Sequence, residues 1–337
     1  MADYKNIKGF NIQYLDSDPP NPIEGQMWYN STSQTLKGAE AGGVPAGTWS
    51  SGGTLNAGHG YGTGFGTQNA AVNAFGGYPT ETNNTELYNG TSWTEVNEGN
   101  TARRNLGSFG IQTSGLAFGG GPPFPVAGTS LTESWNGTSW TEVNDIPTGV
   151  YNNRGVGTSS SAGLRIGGVD AATPGKSKKA DEWNGTSWTA ITDMTTIRES
   201  GGTSNAGSVT AALAFGGESP SLTVNNEEWN GSTWTELANL NTARGNMGYN
   251  GISTFALCWG GTTPSAPPYQ SSITEYWNGT SWTEVADLAT GVSSGIAPAG
   301  GSVAGLSSGG QSNPTTQNTG TEEWTVPEYV VKTFTTS

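Results

Sequence analysis

The peptide Trp-Asn-Gly-Thr-Ser-Trp-Thr-Glu occurs almost unchanged five times in this chain, once every 46 to 48 residues. The copies centre on Asn89, Asn136, Asn184, Asn230 and Asn278; the fourth reads Asn-Gly-Ser-Thr-Trp, and the first opens with Tyr88. A truncated sixth copy ends in Glu322-Glu323-Trp324. A unit of this length cannot bury its own apolar face, so the copies must stack as a propeller or an array. Only 32% of the 337 residues are hydrophobic, against 53 glycines, a balance that can signal disorder. Here the 13 tryptophans recur in phase, and each buries roughly 150–250 Å² when packed. The chain is expected to fold.

Each unit can be read against the others. A short apolar stretch ends in Gly-Gly: Gly76-Gly77, Gly119-Gly120, Gly167-Gly168, Gly216-Gly217, Gly260-Gly261 and Gly309-Gly310. A loop follows, then an acidic residue two positions before the first aromatic: Glu86, Glu133, Asp181, Glu227, Glu275 and Glu322. No segment carries a convincing 3.6-residue apolar period, so the expectation is all-β. Asn-Gly between two strands is a strong hairpin signal. A two-residue loop pairs Trp135 with Thr138; a four-residue loop pairs Trp135 with Trp140. Either register leaves both tryptophans on one face, because side chains alternate along a strand. An exposed Trp stripe would aggregate, so that face is expected between units. Gly76, Gly77, Trp93, Trp135, Trp140, Trp183, Trp188, Trp229, Trp234, Trp277, Trp282 and Trp324 are therefore assigned to the scaffold.

The order Gly-Gly, loop, Glu-x-Trp, hairpin, Trp, then Arg near the next strand resembles the kelch repeat of galactose-oxidase-like β-propellers. The Arg lies ten residues after the second Trp at Arg103, Arg198 and Arg244; His59 stands there in the first unit, while Val150 and Val292 break the pattern. The resemblance implies a six-bladed propeller over residues 48–337. Trp49 lies 27 residues before Gly76, within the 26 to 28 residues that separate the second Trp of every other unit from the next Gly-Gly, marking an outermost strand supplied by the N-terminal side. The C-terminal run from Trp324 also has strand character, so either chain end can complete the last blade. A seventh, incomplete blade from residues 25–50 is the alternative.

Residues 1–47 lie outside the repeat. Pro19-Pro20-Asn21-Pro22 opens an extended segment, and residues 25–37 read as a hairpin. The stretch Gly25-Gln26-Met27-Trp28-Tyr29-Asn30-Ser31-Thr32, ending in Leu36-Lys37, resembles a segment frequent in structural proteins of tailed bacteriophages, notably marine ones. That resemblance implies an attachment segment, with Pro22, Trp28 and Tyr29 at its centre, which docks on other virion proteins. The plain alternative is a decorated first strand of the propeller.

Thirteen Lys and Arg against 27 Asp and Glu give a net charge of −14, which repels phosphate backbones and anionic membrane surfaces. No nucleic-acid partner and no membrane insertion are expected. The N-terminus lacks the apolar core of a secretory signal, so synthesis in a host cytoplasm is expected. The resemblance to phage structural proteins makes the virion the expected location. Cys258 is alone, which excludes an internal disulfide and a thiolate metal site; a buried thiol is expected. A single His59 excludes multi-histidine copper or zinc sites. The copper oxidases of this fold use a Tyr–Cys crosslink and two histidines, which one His cannot supply. Sialidase-type propellers carry Asp-box turns, whose Asp is absent here, and an inward Arg cluster with a Tyr nucleophile, for which three in-phase arginines speak only by count. No enzyme activity, no cofactor and no metal are therefore expected. The in-phase acidic residues are read as structural, bonding an adjacent loop or Arg, rather than as a ring of cation ligands.

Where the repeats disagree, function is expected. The loops after Gly-Gly vary most, and rigid scaffolds place binding residues on such loops. Phe124 and Tyr269 stand among prolines, and Lys176, Lys178 and Lys179 form a cationic cluster. These residues suit contact with host-surface glycan or protein. The expectation is a non-catalytic tail, fibre or surface component of a virion. A lectin-like bacterial surface propeller is second and a glycan-active enzyme third; a homo-oligomer is compatible with all three.

Overall fold

The computed structural model describes residues 12–19, 22, 25–41, 46–121, 128–171, 175–264, 270–294, 303–313, 316–327 and 329–334. It divides into two compact units, residues 48–325 and a smaller one that joins 1–47 to 326–337.

In the larger unit the repeat becomes a four-stranded antiparallel meander, found five times. In the second repeat its strands are Gly107–Ile111, Ser114–Phe118, Thr132–Trp135 and Trp140–Val143. They pair in sequence order. The other four sheets begin at Thr63–Thr67, Arg154–Ser159, Gly202–Thr203 and Gly248–Ile252. A sixth sheet holds Ala304–Ser308, Thr321–Thr325 and Thr48–Ser51. There Trp324 lies opposite Trp49, so a strand from the N-terminal side completes the last repeat's pairing. No α-helix occurs among the described residues, and none is long and apolar enough to cross a membrane. Small antiparallel sheets in sequence order make this an all-β, propeller-like fold.

The hairpin register is the four-residue one, with Trp135 opposite Trp140. The reason is the Asn side chain. Asn136 Oδ1 accepts the N–H groups of Thr138 and Ser139 at 2.9 Å each, and Gly137 takes a φ of 92°. An Asx turn of this kind satisfies the loop backbone locally, which a type I′ turn would not need. The same two bonds recur at Asn89, Asn184, Asn230 and Asn278.

Both aromatic residues of each hairpin are buried, and the core lies between successive repeats. One cluster joins Phe65, Val72 and Phe75 of the first repeat to Leu106, Trp135 and Trp140 of the second. Equivalent clusters join the second to the third, the third to the fourth and the fourth to the fifth. A further cluster puts Leu306 of the last repeat against Ala71, Tyr88 and Trp93 of the first. Hydrogen bonds follow the same contacts. Trp140 Nε1 donates to Thr85 Oγ1, Trp49 Nε1 to Thr274 Oγ1 and Trp93 Nε1 to Thr321 Oγ1, each at 3.0 Å. At these three places the indole meets a partner as it is buried, whereas the Nε1 groups of Trp188 and Trp282 have none among the described residues.

In the smaller unit, Gln13–Leu15 pairs parallel to Met27–Asn30, which pairs antiparallel to Thr35–Ala41. Residues 326–337 were expected with the repeats. They group here instead, because Tyr329–Phe334 runs antiparallel along Thr35–Ala41, with Leu36 opposite Phe334 and Ala41 opposite Tyr329. The hairpin of residues 27–41, raised above as part of a seventh blade, belongs to this same sheet.

Candidate functional site

Five of the six in-phase carboxylates, Glu86, Glu133, Asp181, Glu227 and Glu275, are buried between their own repeat and the linker before it. Arg103 Nη2 donates to Glu133 Oε1 at 2.8 Å, and its Nη1 donates to Gly119 O and Leu131 O at 3.0 and 2.9 Å. Glu133 Oε2 also accepts the backbone N–H and side-chain amide of Asn100. Gly119 and Gly120 both take positive φ, 65° and 84°, turning the chain so that the Gly119 carbonyl meets the guanidinium; a side chain at either would be strained. Arg198 with Glu227 and Arg244 with Glu275 repeat the arrangement. In the first repeat His59 takes the same place, with Nδ1 donating to Phe75 O at 2.8 Å and Nε2 standing 3.3 Å from Glu86 Oε1.

Burial opposes ionisation of Glu86, but hydrogen bonds from His59, Asn56 and Ala57 outweigh it and hold the carboxyl below its ordinary range. Burial also opposes ionisation of Glu227, where Thr195 and Arg198 prevail in the same direction. Burial draws Arg103 and Arg198 below the usual guanidinium value against the pull of Glu133 and Glu227. These carboxylates are engaged by the scaffold, and the described residues contain no acidic, His and Cys group arranged to hold a metal. Cys258 is buried, which pushes its thiol up to about 12 and keeps it unreactive.

A different in-phase position shapes a cavity. Two residues after the Arg, His or Val stand Tyr61, Asn105, Asn152, Ser200, Asn246 and Ser294, all left-handed with φ between 52° and 61°. Each N–H from Asn105 onward donates to the carbonyl of the preceding member, giving five successive links of 2.7 to 2.9 Å. Asn and Ser are frequent here because Asn tolerates this conformation and both are small. Sequence reading passed over this position, although its phase and its Asn content were visible. Tyr61, Asn105, Asn246 and Ser294 line a cavity of about 40 Å³, together with Arg154 and Tyr249. Arg154 and Tyr249 were not singled out in the sequence either. They come from first strands of two different repeats, and neither position repeats its residue type.

The sequence-derived candidates are placed as follows. Lys176 Nζ donates to Pro220 O and lies 2.7 Å from Glu218 and 3.6 Å from Glu199. Lys178 faces Asp193 at 3.9 Å and Lys179 faces Asp170 at 2.8 Å. The cluster is therefore neutralised pair by pair instead of presenting a free cationic patch. Phe124 and Tyr269 lie outside the described residues. In the smaller unit Pro22 and Trp28 are buried, and Trp28 Nε1 and Asn30 Nδ2 both donate to Asp18. Hydrogen bonds from Lys37, Asn30 and Trp28 hold the Asp18 carboxyl down at about 2. Tyr29 stacks on Tyr14, ring centres 4.8 Å apart, and Tyr14 is 76% exposed.

No protein-family model matches the chain, and no curated protein matches it. Among solved structures it is similar to one titled "Structure of YjhT", at a TM-score of 0.68 over 83% of this chain and 99% of that one. The two are 14% identical, so the likeness concerns the fold.

Proposed function

We propose that this chain is a non-catalytic structural and adhesion component of a bacteriophage virion: a six-bladed, kelch-like propeller carried by an attachment unit. Six in-phase stations, six left-handed residues and the pairing of Thr48–Ser51 with Thr321–Thr325 support a closed ring of six blades. The C-terminal strand then belongs to the attachment unit rather than to the last blade.

The observation that carries the functional reading is the surface of the smaller unit. Its Trp28-Tyr29-Asn30 segment, which resembles those of phage structural proteins, is locked onto Asp18, while Tyr14, Phe334, Val331 and Ile12 are exposed. Apolar side chains left in water on so small a unit mark a contact surface for a partner protein. The loops after Gly-Gly, including Phe124 and Tyr269, are the surface for host glycan or host protein.

Mass spectrometry of virions purified to constant composition tests the reading, with the chain expected at a fixed copy number per particle. Abundant chain in the lysate and none in the particles would overturn it. With Tyr14→Asp the chain is expected to stay folded but to leave the particle. Loss of adsorption to host cells with Phe124→Ala or Tyr269→Ala would assign the loops.

A further inference from the structure

Of the six arginines in the sequence, five face a carboxylate: Arg103, Arg104, Arg165, Arg198 and Arg244. Arg154 pairs with no carboxylate among the described residues, although the chain carries 27 acidic residues against 13 basic ones. Its position is nevertheless fixed. Nε donates to Gly201 O at 2.7 Å, Nη1 donates to Asn153 O at 2.9 Å, and the guanidinium lies 5.8 Å from the Tyr249 ring centre. Two bonds to neutral carbonyls hold the group without neutralising it, and its Nη2 donors meet no acceptor among the described residues.

A second observation concerns the same cavity. Ser294 Oγ, in the wall, is buried and has no hydrogen-bond partner among the described residues. An orphaned hydroxyl and an unpaired cation on residues that line one cavity are both costly unless a ligand meets them. The cavity supplies no anion of its own, since no Asp or Glu lines it among the described residues. Burial raises the Tyr249 phenol above its ordinary value, so it stays neutral.

We propose that this cavity binds a small monocarboxylate, held by Arg154 Nη2 with Ser294, Asn105 and Asn246 as further hydrogen-bonding groups. A volume of about 40 Å³ compares with the roughly 10–15 Å³ that one water needs on the same measure, enough for a carboxylate group of three heavy atoms. One guanidinium balances one negative charge, and in a chain of net charge −14 a dianion would meet more repulsion. A planar anion with two acceptor oxygens fits a planar donor flanked by amide and hydroxyl groups better than a spherical ion does.

The test is a titration of the full ¹⁵N-labelled chain with sodium acetate at neutral pH and constant ionic strength, observing arginine Nε resonances, with sodium chloride as reference. A saturable shift confined to Arg154, half-complete in the millimolar range that so small a ligand allows, is expected. The thermal midpoint should rise with acetate in the wild type and not in Arg154→Gln. If that variant fails to fold, Ser294→Ala, expected to weaken acetate several-fold, replaces it. An equal response to chloride would overturn the carboxylate assignment. Absence of any saturable Arg154 shift would overturn the site itself.

Discussion

The second and third repeats solve one problem with different residues. In the second, Arg103 arrives from the linker and joins Glu133 to the Gly119 carbonyl. In the third, the linker position is Val150, the acid is the shorter Asp181, and the cation is Arg165 on the neighbouring strand, directly opposite Asp181. Arg165 Nε donates to Asp181 Oδ2 at 2.8 Å and Nη1 donates to Gly167 O at 2.9 Å. The three parts are unchanged: a buried carboxylate, the first Gly-Gly carbonyl and a guanidinium bridging them. What the fold requires is a cation at a place in space, not an arginine at a place in the repeat. The last repeat shows the other way out. With Val292 in the linker, Glu322 is only half-buried and accepts just the N–H groups of Ala289 and Thr290.

If the two stations are equivalent, Arg103→Met and Arg165→Met should each cost about 3–5 kcal/mol, because each leaves a buried carboxylate uncompensated. Denaturant unfolding measures both, and a cost confined to Arg103 would break the equivalence. In the Arg165→Met background, Val150→Arg should return part of the loss, since a cation from the linker can reach the same acid. No recovery would show that the third station depends on its own strand. Acid should act next. Glu86 and Glu227 are held below the ordinary value of 4.5, so their contribution is complete above that pH. It is lost as pH falls below 4.5 through their folded values. A pH titration of stability should show this decline, and Glu227→Gln should flatten it. A smaller effect separates two seams, the one between the first and second repeats and the one between the third and fourth. Thr85→Val removes the acceptor of Trp140 and should cost about 1–2 kcal/mol. Ala180 holds the corresponding place in the third repeat, and Trp234 there donates to Thr192 O instead, so Ala180→Ser should shift the unfolding midpoint little. Smallest of all, Asn136→Ala opens an exposed turn at a cost of about 0.5–1 kcal/mol by the same measurement.

Period, Gly-Gly and the paired tryptophans made the all-β repeat legible before any coordinates, because each reports a local requirement: a turn, a hairpin, a face to bury. The linker arginines were equally legible as a phase. Arg165 was not, since nothing in its immediate sequence distinguishes a strand residue facing Asp181 from one facing solvent. Arg154 and Tyr249 stayed hidden for a related reason: they meet across two repeats and belong to no phase. The place of the C-terminal strand stayed open because strand character says nothing about which partner, the adjacent last repeat or the distant Thr35–Ala41, supplies the other edge.

The five links that run from Tyr61 to Ser294 have an electrostatic consequence. Peptide dipoles laid head to tail along a helix add up along its axis. Here the head-to-tail run has both ends, Tyr61 and Ser294, in the wall of one cavity, so it bends back on itself and its dipoles largely oppose one another. The backbone at this opening therefore contributes little field of either sign. Its polarity is written by side chains, and among the described residues that line it a single one, Arg154, carries charge.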